Sequence, residues 1–94
     1  MSAEVGTVRK RAVVYGTVQG VGYRVSARAE AVRLGVSGTV RNRYDGTVET
    51  EVEGDPAAVE EYLSWLHSGS SWAKVTHVDV IDIDPKGESA FRIR

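Results

Sequence analysis

The sequence predicts an α+β sandwich in which two helices cover one face of an antiparallel sheet, in the order β-α-β-β-α-β with a short terminal strand. Three observations carry this expectation. Apolar residues switch between a two-residue rhythm and a three-to-four-residue rhythm, so strands and helices alternate along the chain. Gly, Pro and Asp cluster where the rhythm changes. With 94 residues the chain has room for one small core, so both helical stripes must be buried against the same sheet face. That is the split-βαβ, ferredoxin-like architecture. A single domain over residues 1–94 is expected, with residues 1–7 as a flexible arm because they are polar and include Gly6.

Each element has its own local justification. Arg9 to Val18 reads as the first strand, with Ala12 and Val14 on one face and Val13 and Tyr15 on the other. From Gly22 to Leu34 the composition turns to Ala, Arg and Glu; Tyr23, Ala27, Ala31 and Leu34 form a helical stripe, and Gly35 supplies the stop. Val25 and Val32 fall on the opposite side and blur this helix's amphipathic pattern. Val36 to Arg43 and Thr47 to Glu53 read as two strands joined by the hairpin signal Tyr44-Asp45-Gly46. In the second of them Val48, Thr50 and Val52 alternate with Thr47, Glu49, Glu51 and Glu53, a core face and a wet face. Asp55-Pro56 is a helix cap with proline at the first helical position. Val59, Tyr62, Leu63 and Leu66 follow at i, i+3, i+4 and i+7, an amphipathic helix. Ser68 to Ser71 is a loop. Trp72 to Asp84 reads as a long strand whose alternation changes phase near Val80-Ile81, the signature of a bend or bulge. Pro85-Lys86-Gly87 then turns the chain into a last strand holding Phe91 and Ile93.

Composition removes several function classes. Cysteine is absent, so no disulfide framework, thiolate metal site or thiol nucleophile is available, which fits a cytoplasmic protein. His67 and His77 are far apart and lack carboxylates at ligand spacing, so both read as structural or solvated. No apolar run is long enough to cross a membrane, and no charged-then-apolar leader opens the chain. The formal net charge is -1, but it is unevenly placed. Residues 1–43 carry eight basic and two acidic side chains, whereas residues 44–94 carry four and eleven. A positive first half favours an anionic ligand there.

The glycine-rich segment Gly16-Thr17-Val18-Gln19-Gly20-Val21-Gly22-Tyr23-Arg24 lies in that half, between the first strand and the first helix. Three glycines let the backbone turn sharply and bring several N–H groups together. The first N–H groups of the helix have no intrahelical partner and sit at the positive end of its dipole. Arg24 adds a permanent cation with a planar fork of donors. Together these make a cradle for phosphate or carboxylate, although no GK[ST] follows and a plain turn before a surface helix would share the same glycines. Asn42 is the second chemical position. Strand parity puts Val36, Gly38, Val40 and Asn42 on the core face, so Asn42 belongs at the core's rim, unless it serves only to start the hairpin turn. If its strand ran antiparallel to the first one, the end of the first would lie near the start of the second. Parity alone leaves the adjacency of Asn42 and the loop an inference.

The stretch Gly16 to Arg24, together with Gly38-Thr39-Val40-Arg41-Asn42, Asp45-Gly46-Thr47-Val48 and Gly54, closely resembles the two signature regions of acylphosphatases. Ala31, Leu34-Gly35, Trp65-Leu66 and the terminal Phe91-Arg92-Ile93-Arg94 resemble that family as well, so the likeness runs from Val8 to Arg94. Three positions depart from it. Tyr23 stands where Phe is more usual, Thr39 where an aromatic is usual, and Ser71 where Pro is common. None of them alters the cradle donors or Arg24.

The resemblance implies hydrolysis of a carboxyl–phosphate anhydride to a carboxylate and inorganic phosphate. The chemistry needs few residues. A carboxylate leaving group has a conjugate-acid pKa of about 4 and departs without a general acid. A loose phosphoryl transition state demands little deprotonation of the attacking water. It remains to hold the phosphoryl oxygens and aim one water in line. Backbone N–H groups of Gln19, Gly20, Val21, Gly22 and Tyr23, with the Arg24 guanidinium, are expected to do the first, and the Asn42 amide the second. The Gln19 side chain is expected to brace the loop, and Arg41 and Arg43 to be solvated charges on the open sheet face. No cofactor and no metal are expected. The partners expected are a small acyl phosphate and inorganic phosphate as product and inhibitor, with a monomer as the working unit. A binding module for an acidic metabolite would share the same cradle. An RNA-binding surface would share the fold, but Glu49, Glu51 and Glu53 on the open face would repel phosphates, so no nucleic-acid partner is expected.

Overall fold

A computed structural model describes residues 6–94, so the expected arm lies outside the described residues over positions 1–5. The elements are β1 (Val8–Thr17), α1 (Tyr23–Leu34), β2 (Ser37–Asn42), β3 (Val48–Gly54), α2 (Pro56–Leu66), β4 (Lys74–Ile83) and β5 (Phe91–Ile93). They match the expected order. Asp55 caps α2, its carboxylate accepting from Ala57 N–H, with Pro56 as first helical residue. Gly35 ends α1 in the left-handed conformation, and Val36 N–H returns to the Ala31 carbonyl. In the turn between β2 and β3 Gly46 alone has a positive φ, and the Asp45 carboxylate accepts from the Thr47 N–H and hydroxyl.

The five strands lie in the order β4-β1-β3-β2-β5. One expectation needs correction: the sheet is mixed, because β5 pairs parallel to β2 (Gly38 with Phe91, Val40 with Ile93). After β4 the chain stands at one edge of the sheet, at the end where β1 begins and β3 finishes. Residues 84–90 cross that end to the opposite edge, and a strand entering there runs alongside β2 in the same direction. A second correction concerns β4. The phase change lies at Thr76, where Tyr15 pairs with His77 and Gly16 with Val75. This extra residue keeps Val75 and Val78, three apart, on one face. Val80 and Ile81 are in regular register but both exposed, because the helices pack over β1, β3, β2 and β5 and leave the β4 edge uncovered.

The core is the predicted one. Tyr23, Ala27 and Ala31 of α1 and Val59, Tyr62, Leu63 and Leu66 of α2 close over Ala12, Val14, Val40, Val48, Val52 and Phe91. Val25 and Val32 face solvent. Thr50, fully buried, gives its hydroxyl to the Thr39 carbonyl and shares a hydrogen bond with the Tyr62 hydroxyl, so both polar groups are satisfied.

The open face carries an ion cluster that the alternation did not foresee. Arg9 is buried and donates to Glu51 (2.7 Å), Glu53 (2.8 Å) and Glu88 (2.8 Å). Glu53 also accepts from the Lys86 and Gly87 N–H groups, which pins the 84–90 crossover. Burial works against both glutamate charges. For Glu51 the hydrogen bonds from Arg9 and Arg11 outweigh it, and for Glu53 those from Lys86 N–H, Arg9 and Gly87 N–H do so. Both carboxyls are therefore held below their ordinary value of 4.5. A lowered folded-state value contributes stability above about pH 4.5 that is lost as pH falls through it. Urea-denaturation midpoints are expected to drop steeply below that pH. Arg9→Met should cost about 3–5 kcal/mol at neutral pH by stranding the carboxylates, and should flatten the acid dependence. An acid profile identical to wild type in Arg9→Met would assign the loss to other groups.

Candidate active site

β1 and β2 are each antiparallel to the strand between them, β3, so they run in the same direction. Their C-terminal ends share one end of the sheet, which replaces the antiparallel relation considered from sequence. The turn after β1 and the last residue of β2 therefore meet there, beside the N-terminus of α1.

Val18, 2% exposed, anchors the start of the turn in the core. Gly20 (φ 75) and Gly22 (φ 74) are left-handed, and an added Cβ at either would meet nothing; the backbone conformation, not space, requires glycine. Gly22 is the N-cap of α1, offers no side-chain acceptor, and no acidic residue occupies the first turn. The leading N–H groups of α1 thus lack the acceptor that a capping side chain would supply, and face the cleft with the positive end of the dipole.

The loop is braced on two sides. Gln19 turns away from the cleft, its Nε2 donating to the carbonyls of Arg43 (2.8 Å) and Thr47 (2.9 Å) across the β2–β3 hairpin. Ser70, beyond α2, donates to the Val21 carbonyl at 3.0 Å. Tyr23 is buried against Trp65, ring centroids 5.5 Å apart, and its hydroxyl donates to the Leu66 carbonyl at 2.8 Å. The extra oxygen of Tyr23 is therefore partnered. Burial holds that phenol well above its ordinary value, so it stays neutral.

Arg24 extends from the first turn of α1, half-buried, and its Nη1 donates to the main-chain oxygen of Arg94 at 3.3 Å. Asn42 ends β2 on the core side. Its Oδ1 is buried and, among the described residues, has no donor within reach. Such an atom costs free energy unless something brings it a proton. Gly20, Gly22, Tyr23, Arg24 and Asn42 line one cleft of about 130 Å³ over Val18. A single water needs about 10–15 Å³ on that measure, so a larger group and a water can share the cleft. Backbone donors and a guanidinium on one wall and a lone amide oxygen on another can hold a tetrahedral anion and aim a hydroxyl or water at it.

Of the residues expected from sequence, Gly20, Gly22, Tyr23, Arg24 and Asn42 meet in the cleft. Gln19 and Val21 belong to the loop but point their side chains elsewhere. Arg41 pairs with Glu49 at 3.0 Å on the open face, and Arg43 lies 3.8 Å from Asp45. Sequence reasoning missed Val25 and Ile93, which also line the cleft, and the Ser70 buttress. The exposed side of α1 marked Val25, but nothing local could bring residue 93 beside residue 25. Among the described residues no group of three or more His, Cys, Asp or Glu side chains could hold a metal ion, and no helix is long and apolar enough to cross a membrane.

The acylphosphatase family profile matches residues 10–93. An acylphosphatase of Thermococcus kodakarensis is 49% identical over 86 residues, 92% of this chain and 94% of that one. One of Anaeromyxobacter dehalogenans is 53% identical over 88 residues, 93% and 95% of the two chains. The crystal structure of acylphosphatase from Bacillus subtilis superposes with a TM-score of 0.90 at 35% identity, covering 93% of this chain and 98% of that one.

Proposed function

The chain belongs to the acylphosphatase family, and we propose that its cleft works by metal-free, in-line attack of a water held at Asn42 on a phosphoryl group held by the 19–23 backbone and Arg24. The reaction is hydrolysis of the carboxyl–phosphate anhydride of an acyl phosphate. The observation that carries the mechanism is the buried Asn42 Oδ1, unpartnered among the described residues, in the same cleft as Arg24 and the two left-handed glycines.

The phosphoryl oxygens accept hydrogen bonds from the loop N–H groups and from Arg24, which spread the dianion's charge over fixed donors. Asn42 Oδ1 accepts a hydrogen bond from the water and turns the water's lone pair toward phosphorus. As the water oxygen bonds to phosphorus, the bond to the acyl oxygen breaks and the carboxylate leaves with that electron pair. The water's proton ends on the phosphate product. No general acid is needed, because the carboxylate is stable as it departs. The working unit is a monomer in the cytoplasm acting on a small acyl phosphate, with no nucleic acid, membrane or cofactor as partner.

Release of phosphate from benzoyl phosphate, followed colorimetrically, tests the activity. Treatment with EDTA before assay in metal-free buffer is expected to leave the rate unchanged; recovery only on adding Mg²⁺ would overturn the mechanism. Inorganic phosphate is expected to inhibit competitively, since it fills the same nest as the phosphoryl group.

A further inference from the structure

Phosphoryl transfer accounts for Gly20, Gly22, Tyr23, Arg24 and Asn42, and Val18 forms the floor. Two lining residues of the same cleft remain unused: Val25, 67% exposed, and Ile93, 40% exposed. Both are aliphatic, and both stand at the mouth. Resting on the acyl phosphate reading above, we infer that Val25 and Ile93 form the acyl subsite, and that it selects aryl and longer alkyl acyl groups over small ones.

The fold builds this pair deliberately. β5 pairs with β2 so that Ile93 lies beside Val40, two residues before Asn42, at the catalytic end of the sheet. α1 is strapped to β5 by two arginines one helical turn apart. Arg24 Nη1 donates to the Arg94 main-chain oxygen at 3.3 Å, and Arg28 Nε donates to the Phe91 carbonyl at 3.1 Å. These contacts bracket Ile93 where the helix meets the strand, and Val25 lines the same cleft. On α1 Val25 contributes nothing to the core, and its apolar surface stands in water.

The substrate's two ends differ in chemistry. Its phosphoryl end is a dianion and takes the backbone donors and Arg24. The acyl end must then project toward the mouth, where it meets aliphatic surface. Covering that surface with apolar acyl carbon is favourable, at about 25 cal/mol per Å², and an acetyl group is too short to cover much of it. A rival position exists at Tyr44, which is fully exposed, but its surface depression shares only Asn42 with the cleft.

The test compares kcat/KM for benzoyl phosphate and acetyl phosphate in wild type, Val25→Ser and Ile93→Ser, with Val32→Ser and Tyr44→Ala as controls. The benzoyl-to-acetyl ratio is expected to fall about five- to tenfold in each cleft variant, mostly through KM for benzoyl phosphate. Val32→Ser, on the same exposed side of α1 but outside the cleft, and Tyr44→Ala should keep the wild-type ratio. An unchanged ratio in Val25→Ser, or a fall confined to Tyr44→Ala, would overturn the subsite. Val25 is a solvent-facing helix residue, so its variant carries the test even if Ile93→Ser loosens β5. A wild-type chain that hydrolyses neither compound would instead overturn the acyl phosphate reading itself.

Discussion

Arg24→Gln is expected to lower kcat/KM for benzoyl phosphate by more than about 10²–10³, because it removes a charged donor aimed at the phosphoryl oxygens. The fold should survive the change. Arg24 is half-buried at the first turn of α1, and among the described residues the one hydrogen bond of its side chain is the 3.3 Å contact to Arg94. Circular dichroism and the urea midpoint should match wild type within experimental error. The inhibition constant for inorganic phosphate should rise together with the loss of turnover, since the guanidinium serves the ground state and the transition state alike. A variant with more than half the wild-type kcat/KM would remove Arg24 from the mechanism.

Asn42→Ala is expected to lower kcat by about 10²–10³ while the phosphate inhibition constant stays nearly unchanged. In the proposed mechanism the amide oxygen acts on the attacking water and not on the anion. This substitution has an unusual stability signature. Among the described residues Asn42 Oδ1 is a buried acceptor with no donor, so deleting it removes a desolvation cost without breaking a side-chain hydrogen bond at that atom. The urea midpoint is expected to hold or rise. A purely structural Asn42 would show the opposite, a lower midpoint with kcat intact. If Asn42→Ala raises the phosphate inhibition constant as much as Arg24→Gln does, Asn42 belongs to the anion cradle and the water is held elsewhere.

How far the site could be read in advance depended on the distance along the chain over which its physics acts. The strand-loop-helix turn was legible because every part of it is local. Glycines that require positive φ, an uncapped helix start and Arg24 lie within nine consecutive residues, from Gly16 to Arg24. The stripe of α2 was legible for the same reason: Val59, Tyr62, Leu63 and Leu66 repeat at the helix's own period, and all four are buried. Asn42 was harder. Parity put it on the core side of β2, but its neighbourhood to the loop depends on β3 lying between β1 and β2, and strand order is not a local property. Arg9 was not legible at all. Alternation places it on the wet face with Arg11 and Val13, yet Glu51, Glu53 and Glu88, between 42 and 79 residues away, close over it and bury it.

By itself the sequence determined the order of elements, the two helical faces, the cap of α2 and the glycine turn before α1, because propensity, period and backbone conformation are decided among near neighbours. Only the tertiary structure decided that β5 runs parallel beside β2, that the bulge sits at Thr76, that the bracing Gln19 finds its acceptors in the Arg43 and Thr47 carbonyls, and that Val25 and Ile93 line one cleft. Those outcomes turn on which strands neighbour each other and on where a connecting segment can cross the sheet. They are settled by burying one shared core, to which residues far apart in sequence contribute jointly, and no stretch of this chain records that choice alone.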